Sequence, residues 1–328
     1  MDHRLLRVVA AVTRIEVELK PVDRSGRGRR RPEENGTRRE NSHGERIPQR
    51  IVLLTLLLAL ARPTLAQESP ESPEPGKPRP PVQKVFNAIK EEAGRYWADS
   101  VAIVTAPAGW SSKEWEKAAG VTLVLGGLML ADQKIDEAAQ RNRSRFTDRV
   151  SGATTALGGA WGVRVSLGLL GGGLIFRNSN VTNMGREAIE AGFLSSLATN
   201  LVLKRGFGRE RPSESNGKTV FRPGSKHDSF PSGHSTEAFA VASVVAARAD
   251  GWVIPAVAYT AATLVAFDRV NKRVHFASDV YAGAIIGTFT GRMIVHRHQA
   301  QEKADERKKT TDLELVPIRN GLSVRLLF

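Results

Sequence analysis

Phe230-Pro231-Ser232-Gly233-His234-Ser235 followed by Thr236-Glu237-Ala238-Phe239-Ala240-Val241-Ala242-Ser243-Val244-Val245-Ala246-Ala247 reads as a helix start and the helix it opens. Proline and serine suit the first positions of a helix, where a backbone N–H has no partner in any case and a hydroxyl oxygen can accept one. The apolar run from Ala238 to Ala247 lacks the period-two alternation of a half-buried strand, so a helix is expected over 234–249. Working outward, the same texture recurs. Apolar segments of helical length are expected near 85–98, from Ser111 to about Asp132, and near 150–176, 184–203, 252–267 and 276–298, punctuated by Gly, Pro and charge clusters. Ser111-Ser112-Lys113-Glu114 offers a capping box for the second. The expected fold class is therefore all-α, a helical bundle. In the 150–176 segment, Gly158, Gly159, Gly162, Gly168 and Gly171 to Gly173 weaken a helix unless close backbone packing compensates. The tail differs: Asn320-Gly321 between the apolar runs 313–318 and 322–328 predicts a short C-terminal β-hairpin.

The 328 residues contain no cysteine, which excludes disulfide scaffolds, thiolate metal sites and cysteine nucleophiles. Lys and Arg number 48 against 34 Asp and Glu, a surplus of 14 that suits an anionic membrane face, a polyanion or a phosphorylated substrate. Residues 1–50, with thirteen basic and eight acidic side chains, read as a disordered basic leader whose start codon is open to reassignment. Arg46 and Arg50, the apolar run Ile51–Ala61 and the small-residue site ending at Ala66 read as a signal peptide over 51–66. Six prolines in 67–83 predict an extended linker. The helical domain is expected over 84–300, with a charged segment and the hairpin over 301–328.

Uncharged runs in the domain are 12 to 17 residues long, as in Ala118–Ala131 and Gly251–Phe267, and the mean hydropathy is −0.26. A spanning helix needs roughly 20 mainly apolar residues. An exported, periplasmic or extracellular protein, soluble or peripheral to a membrane surface, is expected over a multi-pass one.

Three short segments carry chemistry. In Lys204-Arg205-Gly206-Phe207-Gly208-Arg209-Glu210-Arg211-Pro212, basic residues flank a glycine-bearing turn after an apolar helix. Alone this is a solvated helix-capping loop. In the second, Pro231-Ser232-Gly233-His234, free N–H groups at a helix start make an anion site, and His234 can carry a proton near neutrality. The third runs from Asp268-Arg269 to His275-Phe276-Ala277-Ser278-Asp279, where His275 and Asp279 fall on one helical face.

Together, Lys-x6-Arg-Pro, Pro-Ser-Gly-His and Arg-x5-His-x3-Asp, in that order over Lys204 to Asp279, resemble the signature of the type 2 phosphatidic acid phosphatase superfamily. Bacterial acid phosphatases and vanadium haloperoxidases share it. The resemblance implies a helical bundle of that type and a metal-independent phosphatase acting on a phosphate monoester or diphosphate, either a lipid phosphate or a small ester. It assigns His275 as nucleophile forming a phosphohistidine, Asp279 as the group that orients it, and His234 as general acid and base. Lys204, Arg211, Ser232, Gly233 and Arg269 would bind phosphate. No metal and no cofactor is implied, and vanadate is expected as an inhibitor. Vanadate held by the same residues would instead make a haloperoxidase. A third reading is a non-catalytic basic protein binding a membrane or nucleic acid, although no nucleic acid partner is expected. Where the family pattern has Ser-Arg this chain has Asp268-Arg269, which puts a carboxylate beside a phosphate-binding arginine. His227 reads as a polar loop residue, and His296 and His298 as cations at a helix end.

Overall fold

The computed structural model describes residues 81–156, 161–311, 313–318 and 321–326. The leader, the signal peptide and nearly all of the linker lie outside these residues. The first helix, α1, runs Pro81–Thr105, so it takes up the last three linker positions, with Pro81 at a position where its missing N–H costs nothing. After a 3-10 turn comes α2, Ser112–Arg141. Its start is fixed as the spacing predicts, the Ser111 N–H donating to Glu114 Oε2 at 2.7 Å, and it continues nine residues past Asp132.

Over the stretch read as one helix, 150–176, the described residues form α3, Arg145–Ala156, and α4, Trp161–Ile175, and residues 157–160 lie outside the described residues. Next comes α5, Ser179–Leu197. It passes through a π-helical stretch, Ala198–Leu203, into the single turn α6, Lys204–Phe207. A long loop leads to α7, Gly233–Arg248, then α8, Val253–Asn271, and α9, Ala277–Thr311. Strands β1, Leu313–Ile318, and β2, Gly321–Leu326, pair antiparallel, Ile318 facing Gly321.

Helix α7 is the axis. Its Ala240, Val241 and Val244 pack with Met184, Ala188, Ala191 and Leu194 of α5 and with Ile294 and Val295 of α9. On another side Ala238 and Ala242 meet Ala262 and Val265 of α8. Against α9 the approach is backbone to backbone. Gly283, Gly287 and Gly291, spaced by four and therefore on one face, lie over Ser232, Thr236 and Ala240. A Cβ on Gly287 would stand 2.1 Å from the Thr236 carbonyl oxygen. These three glycines hold the start of α7, with Ser232 to His234, against the start of α9, with Asp279, and so set the site's geometry.

A second feature of the core is charged. Asp99 of α1, Glu187 and Glu190 of α5, Arg248 of α7, and Arg297 and His298 of α9 converge far along α9 from the site. His298 places Nε2 3.0 Å from Asp99 and Nδ1 3.0 Å from Glu187, while Arg248 donates to Glu187 and Arg297 to Asp99. His298 is thus a buried member of an ion network and not a dipole-complementing cation at a helix end, because α9 extends thirteen residues beyond it. Asp99, Glu190 and His298 also form a grouping of metal-ligand types that the sequence did not suggest. Burial lowers the His298 pKa, but its hydrogen bonds to Asp99 and Glu187 and the charges of Glu190 and Glu187 outweigh that and push it up to about 9.

Two helices, α2 and α8, are long and apolar enough by length and composition to cross a membrane. Their uninterrupted uncharged runs are shorter than a span, and a window with one or two charges passes the length and composition test. On α2, Leu123, Val124 and Leu130 are exposed, and its buried residues are Asp132 and Asp136.

Candidate active site

The site sits where the Lys204–Pro212 loop, the start of α7 and the start of α9 meet. The π-helical stretch ends at Lys204, whose ammonium lies about where a side chain on Gly233 would reach, 3.7 Å from that Cβ position. Gly208 ends α6 in the left-handed region, at φ 55°, and a Cβ there would stand 2.0 Å from the Arg222 carbonyl oxygen. The loop then doubles back, Arg209 bridging to Phe221 and Glu210 N–H donating to Val220.

Arg209, an unspecified position inside Lys-x6-Arg-Pro, is completely buried. Its guanidinium lies 4.2 Å from the Phe276 ring centre and 5.1 Å from that of Phe221. It donates to Asp279 Oδ1 at 2.5 Å, to Ser278 Oγ at 2.6 Å and to Asp132 Oδ2 at 2.6 Å. Asp132, from α2, accepts the Ser278 N–H at 2.9 Å and the Ser278 hydroxyl. The next turn of α2 supplies Asp136, which holds Arg273 at 2.7 Å. The two buried aspartates of α2 therefore clamp two site loops.

The expected direct contact between Asp279 and His275 is not made: His275 Nδ1 stands 3.8 Å from Asp279 Oδ2. The Asp279 carboxylate is already taken by Arg209, by the Ser229 hydroxyl at 2.6 Å and by the Phe276 N–H at 2.8 Å. His275 Nδ1 lies 2.7 Å from the Ser229 carbonyl oxygen instead. A carbonyl can only accept, so Nδ1 carries the proton and Nε2 keeps its lone pair. Burial pulls the His275 pKa below its ordinary value although Asp279 opposes it, so the ring is neutral. A neutral imidazole whose Nε2 carries no proton has a lone pair able to act as a nucleophile.

His234 lies in the first turn of α7. Burial first, then Arg269, His275 and Lys204, lower it to about 3, so at neutral pH it is uncharged. Ser232 is buried as the N-cap of α7, its oxygen facing the Ser235 N–H at 3.5 Å. Arg269 is joined to the His275 segment through its carbonyl, which accepts the N–H groups of Val274 and His275. Its guanidinium pairs with Asp268, which the Ser151 hydroxyl and Lys272 also hold. The carboxylate that departs from the family pattern is thus a fixed counter-ion of Arg269. Arg211 clasps Asp228 through Nε at 2.9 Å and Nη2 at 3.0 Å. His227 stands at the loop's rim near Glu210 and Glu214.

Lys204, Arg211, Ser232, Gly233, His234, Arg269, His275 and Asp279 are therefore gathered in one region. Sequence reasoning missed Arg209, Ser229, Asp132 and Asp228. Arg209 is one of three arginines between positions 205 and 211, and nothing in their order marks the one that turns inward.

Residues 189–303 match the family model of the PAP2 superfamily. No curated protein sequence matches the chain. Among solved structures it is similar to the crystal structure of Aquifex aeolicus LpxE, at 24% identity over 50% of this chain and 94% of that one, with a TM-score of 0.41. The resemblance first drawn from three short motifs is borne out by the family match, since the stretch from 189 to 303, which holds all three, matches the PAP2 superfamily model.

Proposed function

We propose that this protein is a phosphatase that hydrolyses a phosphate monoester or diphosphate through a phosphohistidine. The observation that carries this reading is His275, neutral and fixed by the Ser229 carbonyl, set among Lys204, Arg211 and Arg269. A phosphoryl group in transit spreads charge over three oxygens, and preorganised cations and helix N–H groups stabilise it without rearranging. His275 Nε2 attacks phosphorus and the bond to the leaving oxygen breaks. His234 hands its proton to that oxygen. A water then attacks the phosphohistidine, giving its proton to His234, and the P–N bond breaks to release phosphate. Burial first and the neighbouring cations second keep His234 neutral, and a bound phosphate dianion opposes the second of these, which favours the imidazolium that the first step needs.

An apolar groove of about 750 Å³ favours a lipid phosphate as substrate. Ile103, Trp110, Leu197, Val202 and Phe289 line it, and Val202 lies two residues before Lys204. The test is a substrate panel on the full chain in detergent, pairing each lipid phosphate with a water-soluble ester. Vanadate-inhibited hydrolysis, faster on the lipid member of each pair, is expected. No hydrolysis of any phosphate ester would remove the reading, and faster turnover of the soluble esters would remove the lipid preference.

A further inference from the structure

The cradle already holds an anion. Asp228 accepts from Arg211 through both carboxylate oxygens, at 2.9 and 3.0 Å, and one of those oxygens lies 3.9 Å from Lys204 Nζ. This fork-on-two-oxygens geometry is the one arginine offers to a phosphoryl group. The two carboxylates of the site differ in how they are held. Asp268 is 2% exposed and tied by Ser151 and Lys272 as well as Arg269, so it cannot leave. The Asp228 side chain is 46% exposed, and the two cations are what hold it among the described residues. Burial raises its carboxyl, but Arg211 and Lys204 outweigh that and keep it below its ordinary value, so it is ionised.

We propose that Asp228 is a displaceable counter-anion of the phosphate site, which an incoming phosphoryl group must expel from Arg211 and Lys204 and which re-enters as phosphate leaves. The inference rests on the site being a phosphoryl site. It makes Asp228 a setter of affinity and release. An anion bringing charge alone exchanges one ion pair for another and gains little, whereas a substrate with further contacts displaces the carboxylate. After hydrolysis the returning Asp228 opposes retention of inorganic phosphate. Exposure makes the exchange cheap, since the expelled carboxylate passes into water.

The experiment measures inhibition constants of inorganic phosphate and vanadate, with KM and kcat, for the full-length wild type, Asp228→Asn and Arg211→Ala. Asp228→Asn is expected to lower both inhibition constants and KM together, by about ten-fold, the scale of one charge-assisted hydrogen bond freed for the ligand, without raising kcat. Arg211→Ala should raise the same constants. Unchanged or weaker anion binding in Asp228→Asn, with Arg211→Ala still weakened, overturns the role of Asp228 and leaves the phosphatase reading standing. Loss of kcat/KM with no fall in the inhibition constants assigns Asp228 a structural role and also overturns it. If the wild type neither hydrolyses phosphate esters nor binds phosphate or vanadate, the phosphatase reading fails and this inference with it.

Discussion

The Nδ1 proton of His275 goes to the carbonyl oxygen of Ser229, 2.7 Å away. Ser229 in turn gives its N–H to the Arg209 carbonyl at 3.0 Å and its hydroxyl to Asp279 at 2.6 Å. The ring is therefore set by backbone, and Asp279 acts through Ser229 and Arg209 and by its charge at 3.8 Å. A backbone acceptor cannot change protonation state, so Nδ1 keeps its proton as pH varies and Nε2 is free wherever the ring is neutral.

Replacing either histidine is expected to stop turnover with the fold intact. His234→Ala should lower kcat by roughly 10²–10⁴-fold, the range of a lost general acid. His275→Gln, whose amide N–H can still meet the Ser229 carbonyl, should abolish hydrolysis. Steady-state assays with circular dichroism check both, and near-wild-type turnover in either variant removes its assigned role.

Arg209→Met should destabilise the protein by about 3–5 kcal/mol, because Asp132 and Asp279 remain buried as carboxylates without their shared cation. Denaturant unfolding measures it. A loss under about 1 kcal/mol would show that water or another group replaces the guanidinium.

Gly287→Ala places a methyl group 2.1 Å from the Thr236 carbonyl oxygen, so α7 and α9 must part. Overpacking of this kind costs about 1–3 kcal/mol or more. Because the two helices carry His234 and Asp279, kcat should fall as well. Gly120→Ala, which meets nothing within 4 Å, serves as the control.

The buried ion network gives a pH signature. His298 titrates at about 9 in the fold against 6.5 for an unperturbed histidine, so its stabilisation is whole below 6.5 and is lost as pH rises through 9. Glu190, which burial raises to about 8, has the same sign, being favourable when protonated and unfavourable as it ionises. Stability should therefore decline by roughly 3–5 kcal/mol between pH 6.5 and 9. His298→Gln should flatten that slope while lowering stability at neutral pH. Unfolding midpoints across this range provide the measurement, and a slope unchanged in His298→Gln would contradict it.

The helical class, the start of α2 at Ser111, the helix after Phe230 and the order of the three motifs are legible along the chain, because capping, apolar patterning and fixed spacings are local properties. The glycines at 283, 287 and 291 were passed over in the sequence, since their spacing of four marks a helix face but not the helix it meets. Tertiary structure alone decided which charges turn inward. Arg209 and Asp132, both fully buried, lie 77 positions apart, and each is chemically ordinary in its own neighbourhood. What selects them is the cost of an unpaired buried charge, which only the assembled helices impose and which only a partner brought from elsewhere in the chain removes.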